Sequence, residues 1–410
     1  MEWDVIIVGG GAAGLWAAGT AAARGLRTLV LEKNNKPGVK ILMSGGTRCN
    51  ITHHCDVSGI IDAFGNQGRF LKHALHALPP SQVVAEIERL GVPTKVEDTG
   101  KVFPVSNHAI DVRDALVRRL ASAGAELRSG VAVRNVTRNN AGGWLVQLDD
   151  TELQSQKVIL STGGLSYSAC GTTGDGYAWT KQLGHSIQST FPALTPLVSP
   201  AQWVHALTGI TLPDVSVSVT SRELSKREPR HTSRGGFLWT HFGCSGPAPM
   251  NVSRFVSTLQ EPHRSVLQVD LVPNISEAAL SQIFDASQGG KKLVHNILHQ
   301  VVPRSMSECL LGRASIAESI SLAELPRKSR LSLIEDLKRL AVPLSGTRGY
   351  AKAEVTTGGV TTQEVNPRTM ESRLAPGLFL VGEILDVDGP IGGFNFQAAF
   401  STGNLAGLNL

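Results

Sequence analysis

The stretch Asp4–Ala18, DVIIVGGGAAGLWAA, constrains the fold of this chain more than any other. Val5–Val8 is a short, fully apolar run rich in β-branched residues, as in a strand buried on both faces of a parallel sheet. Gly9, Gly11 and Gly14 come next in the spacing GxGxxG. The first glycine allows a tight turn, the second lets a pyrophosphate approach the backbone, and the third packs helix against strand. Ala13 sits between them in an Ala-rich helix, Ala12–Arg24, whose first turn presents free N–H groups and a positive dipole end. A second apolar strand, Thr28–Leu31, ends in Glu32, about 20 residues on, where a carboxylate bonds ribose hydroxyls. The expectation is a βαβ unit that binds a dinucleotide with an unphosphorylated adenosine ribose. NAD and FAD both fit it.

Beyond Glu32 the alternating pattern stops. "KNNKPGVKILMSGGTRCNIT" has no strand period and reads as a Gly-rich loop, carrying Lys40, Arg48 and Asn50, that wraps a cofactor from the other side. Ser81–Leu90 and Ala109–Gly124 read as amphipathic helices, with Asp111 in the first turn of the second. "GVAVRNVTRNNAGGWLVQLDDTELQSQKVILSTGG" reads as three strands and turns. The first strand is placed at Val131–Val133, where the backbone of Val133 faces an adenine, and the last is Lys157–Leu160. Thr162, Gly163 and Gly164 close that strand with a second glycine turn, and Gly174 and Gly176 bracket Asp175 at a helix start.

The domain boundaries come from changes of period. Residues 1–195 form the first part of a dinucleotide-binding domain, 196–273 an inserted β-rich domain, 274–344 a small helical lid, and 345–410 the returning C-terminal part. The fold class is therefore α/β, a Rossmann-like domain in discontinuous segments with a β-rich and a helical insertion. At 410 residues the chain is long enough for this.

The C-terminal end separates FAD from NAD. In "PGLFLVGEILDVDGPIGGFNFQAAFSTGNLAG", the strand Leu378–Val381 ends in Gly382–Glu383, and Gly392–Gly393 opens a long helix past Asn395. An acid at the end of a last strand bonds the ribityl or pyrophosphate part of FAD. A helix start aimed at the flavin N1/O2 edge stabilises the charge of the reduced ring.

These strings carry a resemblance. With "SGGTRCNIT", "STGGLSYSACGTTGDGY", "THFGCSGPAPMN" and "AEVTTGGVTTQEVNPRTMES", the chain resembles the two-dinucleotide-binding-domain flavoproteins. Among these it is similar to a bacterial family with aminoacetone oxidase-like and 3-dehydro-bile-acid reductase-like members. The resemblance runs from end to end. It implies noncovalent FAD, an FAD domain interrupted by a β-rich domain and a helical lid, and cofactor contacts at Gly9, Gly11, Ala13, Gly14, Glu32, Lys40, Arg48, Asn50, Thr162, Gly163, Asp175, Glu383, Gly393 and Asn395. The chain departs at Thr47, where a third glycine is common, and at Ser168–Ala169 after Tyr167. Both departures bear on the substrate rather than the cofactor.

Few side chains need to do chemistry when a flavin carries the hydride. His241, in "WTHFGCSGPA", is either a proton donor or a histidine bonded to its own loop. Arg48 either binds an anion near the flavin O2/N1 region or fixes the Gly-rich loop by a salt bridge. Tyr167 walls the pocket or donates a proton. Cys49, beside Arg48, is read as a packed thiol rather than a redox thiol. His53–His54 raise covalent flavin attachment, which nothing else supports. The five cysteines form no CxxC and no zinc spacing, so neither a disulfide framework nor a metal site is expected.

A net charge of +5 reads as a solvated surface, "SRELSKREPR" at 221–230 as a hairpin tip, and nucleic acid is not expected as a partner. No run approaches the about 20 apolar residues of a membrane span. Glu2 and Asp4 stand where a signal peptide has cations, so a cytoplasmic protein is expected. The expectation is an FAD-dependent oxidoreductase acting on a small organic substrate, with NAD(P)H or O2 as redox partner. The rivals are a flavoprotein acting on RNA and a flavin-binding sensor without turnover. No feature of the sequence fixes an oligomeric state.

Overall fold

The computed structural model describes residues 2–139, 142–221, 231–285, 287 and 290–410. The charge-rich stretch read as a hairpin tip lies outside the described residues from position 222 on. The chain divides into two compact units: Met1–Pro192 with Glu354–Leu410, and Ala193–Ala353.

The first unit opens with β1 (Trp3–Val8), α1 (Ala12–Ala23) and β2 (Thr28–Glu32). The Gly-rich segment after β2 is not all loop. α2 (Val39–Thr47) forms first, and the non-helical dihedrals of Ser44, Gly45 and Gly46 then break it, because glycines at φ 56° and 67° cannot continue a helix. Next come β3 (Thr52–His53), α3 (Val57–Ala63), α4 (Gly68–Ala77), α5 (Pro80–Arg89), β4 (Thr94–Val96), β5 (Lys101–Pro104), α6 (Ala109–Ser122) and β6 (Glu126–Ser129). The three-strand run lies at β7 (Asn135–Arg138), β8 (Trp144–Gln147) and β9 (Glu152–Leu160). Val131–Val133 is therefore a link between β6 and β7, not a strand. The apolar run there is short, and the sheet ladder starts only where Asn135 finds Gln147. α7 (Asp175–Gln182) and β10 (Ile187–Ala193) complete this part.

The second unit contains β11 (Leu197–Val198), α8 (Gln202–Ala206), β12 (Thr211–Thr220), β13 (Thr232–Thr240), β14 (Gly243–Ser245), α9 (Pro247–Ser257) and β15 (Val266–Asp270). Helices α10 (Glu277–Ile283), α11 (Val294–Leu298), α12 (Arg304–Arg313) and α13 (Arg327–Arg339) come after it, then β16 (Leu340–Pro343) and β17 (Gly346–Thr347). Its sheet has the order β16-β15-β12-β13-β14-β11-β17. Strand-borne Val217 and Trp239 and helix-borne Leu310 and Leu337 share one core, so the strand-rich stretch 196–273 and the helical stretch 274–344 are packed together here.

The chain returns to the first unit with β18 (Val355–Val360), β19 (Leu378–Leu380) and α14 (Phe394–Leu408). The main sheet has the order β6-β2-β1-β9-β8-β7, and β19 joins β9 in parallel. Counted in chain order, the parallel strands lie 3-2-1-4-5, the doubly wound arrangement. Alternate residues of β1 feed opposite cores, Val5 and Ile7 on one face and Ile6 and Val8 on the other, which is why the run is apolar throughout. β9 uses its free edge twice: its first half pairs antiparallel with β8 and its second half parallel with β19. The strand order reverses between β1 and β9, so the carboxyl ends of these strands are where such a fold binds a ligand.

Among the described residues no helix is long and apolar enough to cross a membrane, and no group of three His, Cys, Asp or Glu side chains is placed to hold a metal ion. All five cysteines are unpaired.

Candidate functional site: a dinucleotide cradle in the first unit

The switch point is built by close backbone contact. A Cβ at Gly9 would stand 2.6 Å from Ser161 O, and one at Gly14 only 2.0 Å from Gly9 O, so neither position tolerates a side chain. Ser161, directly after β9, holds this turn: its Oγ donates to Gly9 O at 2.8 Å. At Gly11, by contrast, a Cβ would meet nothing within 4 Å. Gly11 is the N-cap of α1, with no side-chain cap and no acid in the first turn. The first N–H groups of α1 are thus left to an outside acceptor.

Glu32, buried at the end of β2, accepts from Gly10 N at 2.8 Å through Oε2 and from Asn34 N and Asn34 Nδ2 through Oε1. The protein fixes the carboxylate at the edge of the glycine turn: Oε1 is filled by its two Asn34 donors, and Oε2 keeps a lone pair free. The Asn34 amide also donates to Cys170 O at 2.9 Å, which ties the 168–171 turn to this edge. Val131 N bonds Glu32 O, and the backbone of Val133 lies outside both neighbouring ladders.

The second wall comes from α14. Gly393 caps it at φ 89°, again without a side-chain cap or an acid in the first turn. Asn50 fastens this helix start: its amide nitrogen faces Thr52 O at 3.0 Å and its oxygen accepts from Gly393 N at 2.9 Å. His53 stacks on Phe394, with ring centroids 4.6 Å apart and Nδ1 3.1 Å from Gly392 O. The Asn395 amide is engaged by its own loop, accepting from Gly389 N and donating to Gly389 O. Gly382 N donates to Thr402 Oγ1, which joins the end of β19 to the middle of α14.

Glu383 stands in a network of protein groups. Its Oε2 receives Lys40 Nζ at 2.5 Å, and its Oε1 receives Ser166 Oγ at 2.6 Å and Thr356 N at 2.9 Å. Lys40 Nζ also donates to Ser166 Oγ at 2.7 Å. Thr356 Oγ1 accepts from Leu165 N and Ser166 N. One ion pair therefore binds α2, the 162–166 glycine turn, β18 and the segment after β19. Asp175, first residue of α7, pairs with Lys33 at 2.7 Å, and the hydrogen bonds from Lys33 and Thr173 hold its carboxyl below the usual range against the effect of burial. Sequence spacing gives no sign of Ser161, Ser166, Thr356, Asn34 or Lys33. Each acts through a partner more than a hundred residues away, or is an ordinary polar residue in a turn.

Arg48 is engaged within the chain. Its Nη1 lies 2.7 Å from Glu97 Oε1 and its guanidinium 4.0 Å over the Phe103 ring. Cys49 is wholly buried, and burial pushes its thiol up to about 12, so it carries no thiolate at neutral pH. His241 belongs to the second unit, exposed at the turn between β13 and β14.

A dinucleotide fits these groups on two further counts. Two uncapped helix starts, that of α1 at the switch point and that of α14 beside Thr52, suit an anion and an electron-rich ring edge. Thr162 Oγ1, on the turn after β9, is buried with no hydrogen-bond partner in the chain, so its hydroxyl has a donor and lone pairs to offer.

The pattern for the HI0933-like protein Rossmann domain matches residues 3–409. The chain belongs to the HI0933-like family. This is a family of FAD-binding oxidoreductases, and FAD is a dinucleotide. Relatives span the whole chain. The ribosomal RNA dihydrouridine synthase of Escherichia coli is 32% identical over 98% of this chain and 96% of its own length. The 3-dehydro-bile acid delta(4,6)-reductase of Clostridium scindens is 30% identical over 98% and 97%. Among solved structures, the 3-ketosteroid delta1-dehydrogenase of Sterolibacterium denitrificans superposes with a TM-score of 0.54 at 14% identity, covering 99% of this chain and 98% of that one. At that identity the likeness concerns the fold alone.

Proposed function

We propose that this protein is an FAD-dependent reductase of a carbon–carbon double bond conjugated to a carbonyl, and that its substrate is a uracil ring in ribosomal RNA. The reading is carried by what its full-length relatives share. Dihydrouridine is uridine with its ring double bond saturated, and a delta(4,6)-reductase saturates double bonds too. Dihydrouridine synthases of that name from two organisms, Escherichia coli and Haemophilus influenzae, match end to end, which weights the substrate toward RNA. The net charge of +5, read as a plain surface in the sequence, suits a polyanion. A small cyclic enone is the second reading, favoured by the bile-acid relative.

Bound FAD, once reduced by a nicotinamide, supplies the hydride. The chain's part is to hold the cofactor and to bring a proton to the second carbon. Tyr167 suits the latter role. It is held at φ 52°, ψ 61°, a left-handed conformation that a tyrosine adopts only under constraint. The constraint is visible. Ser166 is fixed by Thr356, Lys40 and Glu383, while Cys170 N and Thr172 Oγ1 both donate to Tyr167 O. Among the described residues its hydroxyl meets no hydrogen-bond partner. Burial, with the negative charge of Glu354, pushes the phenol above its ordinary value, so it stays protonated at neutral pH.

The test is reduction of the FAD-loaded protein with NADH or NADPH without air, followed by ribosomal RNA lacking dihydrouridine. Reoxidation of the flavin with a gain of two hydrogens on a uridine, read by mass spectrometry of nucleosides, supports the reading. Reoxidation by a cyclic enone but not by RNA moves the substrate to the second reading. Reoxidation by neither overturns the reductase reading.

A further inference from the structure

The second unit carries a cluster that the proposed reaction leaves unused. Guanidinium groups placed over aromatic rings recur in this molecule, and several are also held by acids. Arg119 over Trp16 pairs with Glu86, Arg128 over Trp3 with Glu126, and Arg313 over Trp203 with Asp336. Arg138 over Trp144 donates to the carbonyls of Gly142 and Pro376. Arg348 differs from these. Its Cζ stands 4.4 Å over the Phe242 ring, yet among the described residues its fork meets neither a carboxylate nor a carbonyl. It is exposed, and its own backbone is fixed, since Arg348 N donates to Pro196 O at 3.0 Å.

Around it the arrangement continues. His241, exposed, stands edge-on to the same Phe242 ring, with centroids 5.0 Å apart at 83°. Phe242 O accepts from Ser199 N at 2.9 Å, which anchors the turn that presents both rings. Four residues after Arg348, Lys352 is also exposed and has no acid partner among the described residues. A guanidinium that covers a phenyl ring with one face turns its other face and its donors to solvent. An unpaired planar cation of this kind stacks on a nucleobase while its fork reaches a phosphate or a base edge. A double helix offers no free base face to such a group.

We propose that Arg348, Phe242 and His241 form a stacking platform for an unpaired base in a single-stranded segment of RNA, with Lys352 contributing charge alone. This inference rests on the RNA reading of the function. It assigns the planar face of Arg348, rather than its charge, as the feature that selects single strands.

The experiment uses the FAD-loaded full chain and two fluorescently labelled probes, a uridine-rich single-stranded RNA oligonucleotide and a duplex of the same length. Binding is followed by anisotropy over a range of salt, and flavin absorbance reports that each variant is folded. The wild-type protein should prefer the single strand. Arg348→Ala and Phe242→Leu should each weaken single-strand binding roughly tenfold. Arg348→Lys, which keeps the charge and loses the plane, should weaken it nearly as much with the salt slope unchanged. Lys352→Ala should weaken both probes alike and reduce the slope by about one. Wild-type binding that Arg348→Lys leaves intact would overturn the platform while the RNA reading stands. Failure of the wild-type protein to bind either probe would overturn both.

Discussion

At Tyr167, a single oxygen atom separates the two roles the residue can have. Tyr167→Phe keeps the ring and removes the proton. We expect this variant to retain FAD and to be reduced by nicotinamide at the wild-type rate, while substrate reduction falls by about a hundred- to ten-thousand-fold. An unchanged rate of product formation would reduce Tyr167 to a wall. His185 offers a test of a different kind. Its side chain is wholly buried, with Nδ1 3.2 Å from Glu364 Oε2 and Nε2 2.8 Å from Ser372 Oγ. Burial holds the imidazole below its ordinary value, against the pull of Glu364. Below about pH 6.5 the unfolded chain therefore takes up a proton that the folded chain resists. Stability contributed here is complete above that pH and declines as the pH falls from there toward the lower folded value. Urea midpoints measured at about pH 7.5 and pH 5.5 should show this loss, and His185→Gln should flatten it. At this scale the sequence was most legible where spacing carries meaning, in Gly9, Gly11, Gly14 and Glu32. It was least legible for Ser161, Ser166 and Thr356, whose importance exists only once distant segments meet.

Among the elements, the contact between α1 and α14 does most to shape the cradle, because it fixes the distance between the two uncapped helix starts. Their seam is made of small residues. A Cβ at Gly403 would stand 2.3 Å from Ala13 O, and one at Gly407 would stand 2.9 Å from Ala17 O. Trp16 on α1 packs against Phe400 on α14 with centroids 4.9 Å apart, and Asn404 Oδ1 accepts from Trp16 Nε1 and Thr20 Oγ1. We expect Gly403→Ala to cost about 1–3 kcal/mol in chemical denaturation and to weaken FAD retention, since the helices must separate to admit the methyl group. An unchanged midpoint would mean that the seam yields freely. Both helices were readable from the sequence, because glycine punctuation and apolar runs mark their starts. The strand expected at Val131–Val133 was not, because a short apolar run has no ladder until its partner is known. The helix α2 was hidden by the glycines that end it. Gly45 and Gly46 made the whole segment read as loop.

For the molecule as a whole, the parallel order 3-2-1-4-5 brings distant parts of the chain to one switch point. The pairing of β1 with β9 across an interval of about 150 residues is of the kind no local period announces. The return of the chain at Val355 was legible only because a strand pattern resumes there. The central claim is that this fold holds FAD in order to saturate the ring of a uridine. It is tested most directly by incubating the reduced, FAD-loaded protein with ribosomal RNA lacking dihydrouridine and counting dihydrouridine formed against flavin oxidised. One dihydrouridine per flavin is the result we expect. Flavin that stays reduced in the presence of that RNA, or that reoxidises without any dihydrouridine appearing, would contradict the claim.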